Sequence, residues 1–131
     1  MKRTTLLHAE LSEVIARLGH GDLLVIGDAG LPIPDGPRRI DLAVSANVPR
    51  FVDVLAAVLA EMQVEGALIA DEFAPRNASV HAELMRQLGG TPVSTVSHQH
   101  FKTLTQDARA IVRTGEFSPY ANVILRAGVV F

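Results

Sequence analysis

Short apolar runs that fit buried strands alternate along this chain with segments of helical periodicity, and this alternation narrows the fold more than any other feature. Leu23, Leu24, Val25 and Ile26 form the first strong strand within 22–27. "VEGALIA" (64–70), "PVSTVS" (92–97), "AIVRT" (110–114) and "NVILRAG" (122–128) supply further strands, with a short one around 40–44. Between them, Leu11, Val14, Ile15 and Leu18 recur at helical spacing, and Gly19 follows as a stop. Asn47 is expected to cap a helix with Pro49 in its first turn, burying Val52, Leu55, Val58, Leu59 and Met62. Asn77 is expected to cap another that runs to about Leu88, and 100–108 reads as a fourth helical segment. The order predicts one α/β domain over residues 1–131, a three-layer αβα arrangement around a central mixed sheet.

Composition removes several classes of function. Hydrophobic residues make up 48% of the 131 and charged residues 20%, the balance of an ordered chain with a real core. The formal net charge is −2 and no basic block is present, which argues against a nucleic-acid partner. With no cysteine, disulfides, thiol nucleophiles and thiolate metal sites are excluded. His8, Glu10 and Glu13 interrupt the N-terminal region before a signal-peptide core develops, and Val54 to Ala60 is too short to span a bilayer. The expected location is the cytoplasm. The last eleven residues, "ANVILRAGVVF", are nearly all apolar, so the terminus is expected to dock into the core or into another subunit.

Chemistry-bearing residues gather at the ends of the strands. Asp28 leaves the first strong strand at its carboxyl end, where open α/β sheets bind ligands, and Gly30, Pro32 and Pro34 shape the loop that follows. Its carboxylate either accepts hydrogen bonds from sugar hydroxyls or caps the amides of its own loop. His20 sits between two glycines at the helix-to-strand turn and is the residue type that exchanges protons near neutral pH. Taken alone, it reads more readily as a turn histidine satisfied by solvent or backbone than as a catalytic group. His98 and His100 would share a face if the strand continued through them, half of a metal site, but no third ligand has motif spacing and a metal is rejected. "SPYAN" places Tyr120 and Asn122 together, two side chains that both donate and accept. Lys102 is read as a surface lysine within reach of a ligand. No dinucleotide fingerprint, P-loop or GxSxG motif occurs, and a covalent mechanism is hard to build whereas proton transfer is not.

The segments "RLGHGDLLVIGDAGLPIP" (17–34), "RIDLAV" (39–44), "VPRFVDVL" (48–55), "EMQVEGALIADE" (61–72), "HQHFK" (98–102) and "RTGEFSPYANVILRAGVVF" (113–131) cover most of the chain in order. On them the sequence resembles the ribose pyranase and fucose mutarotase family. The resemblance implies interconversion of the pyranose and furanose rings of an aldopentose, chiefly ribose, without metal or organic cofactor. It implies that His20 donates the proton and that Asp28, His98, Tyr120, Ala121 and Asn122 bind the sugar. It also implies a ring-shaped homodecamer of stacked pentamers. The alternatives are a mutarotase of fucose or another aldose, and a sugar-binding or regulatory module without turnover.

The spacing of the two ends poses a geometric problem. Eight residues of extended chain would put His20 and Asp28 roughly 26 Å apart, well beyond one monosaccharide. Either the glycines around His20 fold it back sharply, or His20 of one subunit meets Asp28 of another. The second is expected, giving sites shared between neighbouring subunits.

Overall fold

The computed structural model describes residues 1–131, Met1 to Phe131. The elements run α1 (Ala9–Arg17), β1 (Leu23–Gly27), β2 (Arg38–Asp41), α2 (Phe51–Leu59), β3 (Val64–Ala70), α3 (Phe73–Arg76), α4 (Ala78–Leu88), β4 (Val93–Val96), α5 (His98–Leu104), a 3-10 turn (Thr105–Asp107), β5 (Ala110–Arg113) and β6 (Val123–Ala127). The six strands form one sheet in the order β2-β5-β1-β6-β3-β4. β2, β5 and β1 are parallel, as are β3 and β4, while β6 pairs antiparallel with both β1 and β3. The expected mixed α/β sheet is therefore present. Because β6 alone runs the other way, it starts at the edge where the other five strands finish.

Alternation along the central strands explains the layers. Leu24 and Ile26 of β1, Val123 and Leu125 of β6, and Ala110 and Val112 of β5 face the larger core. That core is completed by Leu11 and Val14 of α1, Phe51, Leu55 and Val58 of α2, Phe73, and Leu84 and Leu88 of α4. Val25, Ile111 and Ile124 face the other side, where Phe101 of α5, Leu31 and Ala108 make a smaller core. Helices α1 to α4 thus cover one face and the short α5 the other.

Three sequence expectations change at element ends. Asn47 does not cap α2, which begins at Phe51 with Pro49 outside it. Asn47 has φ 62° and its side-chain oxygen instead accepts the Phe117 N–H at 3.0 Å. The α2 terminus is satisfied from far along the chain, by Glu116 Oε1 accepting the Phe51 N–H at 3.0 Å. Asn77 precedes α4, but its side chain makes no capping bond. It donates to Ser118 Oγ at 2.8 Å and to the Pro119 carbonyl at 2.9 Å. Finally, the strand ending in "PVSTVS" stops at Val96 and the helix starts at His98, so His98 and His100 lie two apart on a helix and do not share a face. The C-terminal strand is core through Ala127, whereas Val129, Val130 and Phe131 are exposed.

Candidate active site

Two groups of polar residues occupy opposite edges of the sheet. At the carboxyl edge of the parallel strands, β1 delivers Asp28, β3 delivers Glu72, β4 delivers His98 and β5 delivers Thr114 and Glu116, while the segment entering β6 brings Tyr120, Ala121 and Asn122 to the same edge. Of the predicted sugar-binding residues, all five stand here. His20 does not.

Asp28 and Asn122 form the centre. Asn122, fully buried, accepts the Asp28 N–H through Oδ1 at 2.8 Å and donates through Nδ2 to Asp28 Oδ2 at 3.0 Å. Asp28 Oδ1 accepts the Gly30 N–H at 2.8 Å, so the carboxylate does cap its own loop. Each carboxylate oxygen still has a lone pair for a hydroxyl donor. Burial pushes the Asp28 carboxyl above its ordinary value, opposed by the hydrogen bonds from Gly30 and Asn122 and by His98 nearby. A groove of about 490 Å³ opens beside Asp28, lined also by Gly30, Arg113, Glu116 and Ser118. It is large enough for a monosaccharide.

His98 and Tyr120 stand together. The His98 ring stacks on Phe101 at 6.3 Å between centroids and meets Tyr120 edge-on at 5.1 Å. Its Nδ1 is buried without a hydrogen-bond partner in the chain, an atom able to bind a hydroxyl. The Glu72 carboxylate accepts the His98 backbone N–H at 2.9 Å and Ser97 caps the next turn through the His100 N–H, fixing the start of α5. Tyr120 has φ 60°, a conformation that side chains other than glycine avoid unless the surroundings hold it. The segment leading into Tyr120 is pinned by a part-buried network: Ser118 Oγ donates to Glu116 Oε2 at 2.7 Å, and Asn77 Nδ2 donates to Ser118 Oγ at 2.8 Å and to the Pro119 carbonyl at 2.9 Å. Arg113 ties the Asp28 loop to the sheet by donating to the Ala29 carbonyl at 3.0 Å and to both Asp41 oxygens at 3.1 Å. Glu72, Arg113 and Glu116 escaped the sequence reading because their partners lie 26 to 84 residues away, and Asn77 was read only as a helix cap. Lys102 lies in the last turn of α5, and His100 is exposed beside it.

His20 occupies the other edge, on the turn before β1. Asp22 closes that turn by accepting the Gly19 N–H at 2.8 Å, and Gly21, with φ 85°, passes its own N–H to the Ala127 carbonyl at 2.8 Å. The Gly19 amide and then the Arg109 guanidinium hold the Asp22 carboxyl below its usual value. His20 is exposed and its Nε2 lies 2.8 Å from Glu65 Oε2. The five residues of β1 separate it from Asp28 by a strand about 16 Å long, so the glycines do not fold it back to the Asp28 groove. No group of three or more His, Cys, Asp or Glu residues is arranged to hold a metal ion.

A carboxylate held by a buried amide, an unsatisfied imidazole nitrogen and a half-buried tyrosine stand at the switch edge of an α/β sheet, the kind of place and the kind of donors and acceptors that suit a small polar ligand. Residues 1–130 match the profile of the RbsD / FucU transport protein family, and the chain belongs to that family. It is 61% identical over its full length to the D-ribose pyranase of Symbiobacterium thermophilum and 63% identical to that of Paracidovorax citrulli, with 100% of each chain covered. Bacillus subtilis RbsD, solved in complex with D-ribose, superposes with a TM-score of 0.96 at 44% identity, covering 100% of both chains. The fucose mutarotase of Streptococcus pneumoniae shares the fold, with a TM-score of 0.81 at 23% identity over 95% of this chain and 94% of the other.

Proposed function

We propose that this protein is an isomerase that interconverts the β-pyranose and β-furanose forms of D-ribose by general acid–base catalysis, without metal or organic cofactor. The observation that carries this reading is the convergence of Asp28, His98, Tyr120 and Asn122 on one edge of the sheet. High identity to D-ribose pyranases over the full length supports ribose as the sugar.

The chemistry needs only proton movement. A proton reaches the ring oxygen as its bond to the anomeric carbon breaks, and the anomeric hydroxyl loses one as the aldehyde forms. Attack of a different hydroxyl on the aldehyde then closes the other ring, with the two proton transfers reversed. His20 supplies the proton to the ring oxygen and takes it back from the attacking hydroxyl. A general acid of this kind contributes about 10²–10⁴-fold. Asp28, His98, Tyr120, Asn122 and the backbone around Ala121 hold the remaining hydroxyls.

His20 and Asp28 serve one sugar only if they come from different chains, so the site is shared between neighbouring subunits. The sheet face on the α5 side supports an assembled state. Leu23, Leu68, Leu104 and Ile124 line an open groove of about 480 Å³ there, and Val129 to Phe131 are exposed. We infer a homodecamer of stacked pentamers working in the cytoplasm.

Proton NMR tests the activity directly. Magnetisation exchange between the β-pyranose and β-furanose anomeric signals of equilibrated ribose should appear with the protein and vanish with His20→Ala, while sugar binding persists. Exchange confined to fucose anomers would move the substrate. Binding without exchange of either sugar would make the protein a sugar-binding module.

A further inference from the structure

The sugar chemistry above uses His20 but leaves unused the carboxylate that His20 meets at its own edge of the sheet. Glu65 bridges two side chains: its Oε2 lies 2.8 Å from His20 Nε2 and its Oε1 lies 2.9 Å from Arg126 Nε. The backbone explains why it points there. In the β3–β6 ladder Val64 pairs with Ala127 and Gly66 with Arg126, so Glu65 is the extra residue of a bulge. Bulges re-aim the side chain they carry. A regular ladder would have sent Glu65 to one face of the sheet in step with its neighbours. The closeness of Gly128 also matters, since a Cβ there would come within 3.1 Å of the Glu65 Cβ. Glycine at 128 therefore leaves Glu65 room to reach His20.

We propose that Glu65 is the positioning residue of His20, accepting a hydrogen bond from Nε2–H and leaving Nδ1 as the nitrogen that exchanges a proton with the sugar. This rests on the assignment of His20 as the general acid. An imidazole whose Nε2 proton is held by a carboxylate keeps that proton through the reaction, because the hydrogen bond made by one ring nitrogen fixes the state of the other. In the acid step the Nδ1 proton passes to the sugar ring oxygen, and the ring returns to the neutral Nε2–H tautomer. On reclosure the attacking hydroxyl returns its proton to Nδ1. The anomeric oxygen gives its proton to solvent water in the first step and takes one back from water in the second, so every proton is accounted for over the cycle. Arg126 prevents Glu65 from swinging away, and the Gly19–Asp22 hydrogen bond of 2.8 Å sets the backbone of the turn.

Long-range proton–nitrogen NMR of the assembled, nitrogen-labelled protein, combined with ribose exchange kinetics, tests this. Wild type and Glu65→Gln, whose amide oxygen still accepts, should show neutral His20 as the Nε2–H tautomer. Glu65→Ala should show a mixture of tautomers and lose about tenfold in kcat, with KM within about twofold. Glu65→Gln should recover most of that rate. An Nδ1–H tautomer in the wild type overturns the proposal, as does a Glu65→Ala enzyme with unchanged tautomer and kcat, or one changed in KM alone. If the wild type exchanges no ribose, the isomerase reading fails while the tautomer still decides the role of Glu65.

Discussion

Asn122 holds Asp28 by two handles at once, the backbone N–H at 2.8 Å and the carboxylate at 3.0 Å, across 94 residues of chain. This pair locks the exit of β1 to the entry of β6 and leaves the carboxylate partly open to the groove. It makes the two residues one unit, in which the amide sets the direction of the acid.

Removing the amide should therefore affect both stability and binding. Asn122→Ala leaves a buried N–H short of its partner and is expected to cost about 1–3 kcal/mol, read from urea unfolding with an unchanged m-value. The freed carboxylate of Asp28 should also raise the KM for ribose more than it lowers kcat.

Gly27 lies directly beneath this pair. A Cβ there would come within 2.6 Å of a Leu31 methyl, 3.1 Å of Leu31 Cβ and 3.0 Å of Asn122 Oδ1. Leu31 can yield at its tip, but Asn122 is held by its own bonds. Gly27→Ala should destabilise by about 1–3 kcal/mol and weaken ribose binding, measured by calorimetry on the folded fraction.

The two aspartates that frame β1 should respond to pH in opposite directions. Burial raises the Asp28 carboxyl, so the native state binds the proton more tightly than the unfolded chain. Its stabilising contribution is full below the ordinary value and is lost as pH rises through the raised one. Asp22 is held low, first by the Gly19 amide and then by Arg109, so its contribution is full above the ordinary value and is lost as pH falls through the lowered one. Melting curves from about pH 2 to pH 6 should show Asp28→Asn removing a decline toward higher pH and Asp22→Asn removing a decline toward lower pH. Ribose hydroxyls donate to the ionised Asp28, so ribose should bind more tightly as pH rises through that window.

A site shared between chains predicts complementation. His20→Ala and Asp28→Asn proteins should each be inactive when assembled alone. Unfolded together in equal amounts and refolded, they should regain about a quarter of the wild-type sites, since each site draws its two halves at random from neighbouring chains. Exchange NMR on the mixture measures it. Activity in neither the pure nor the mixed assemblies would place both residues in one chain's site.

Much of this was legible in the sequence because the signals were local. The Leu23–Ile26 run, the helical spacing of Leu11, Val14 and Leu18, and the position of Asp28 at a strand exit each depend on neighbours a few residues away. The roles of Asn47 and Asn77 were misread for the opposite reason. Both have good capping side chains, yet Phe117, Ser118 and Pro119, brought in by the fold, claim their polar atoms first. Glu116 caps α2 across 65 residues, a contact that no local pattern reports. The helical start at His98 was hidden because Ser97, its cap, also fits the alternation of the preceding strand. His20 was visible as a candidate, but Glu65 was not. Its aim comes from a bulge, and register irregularities leave no mark in composition.

The reversed direction of β6 has one more effect. It brings Tyr120, Ala121 and Asn122 to the rim where β1 delivers Asp28, while His20, on the turn before β1, stays at the opposite rim. On the proposed shared site, a lone chain carries both halves of the machinery with no way to join them. Turnover per chain should fall on dilution even where every chain stays folded, so the cell can set the amount of activity through abundance alone.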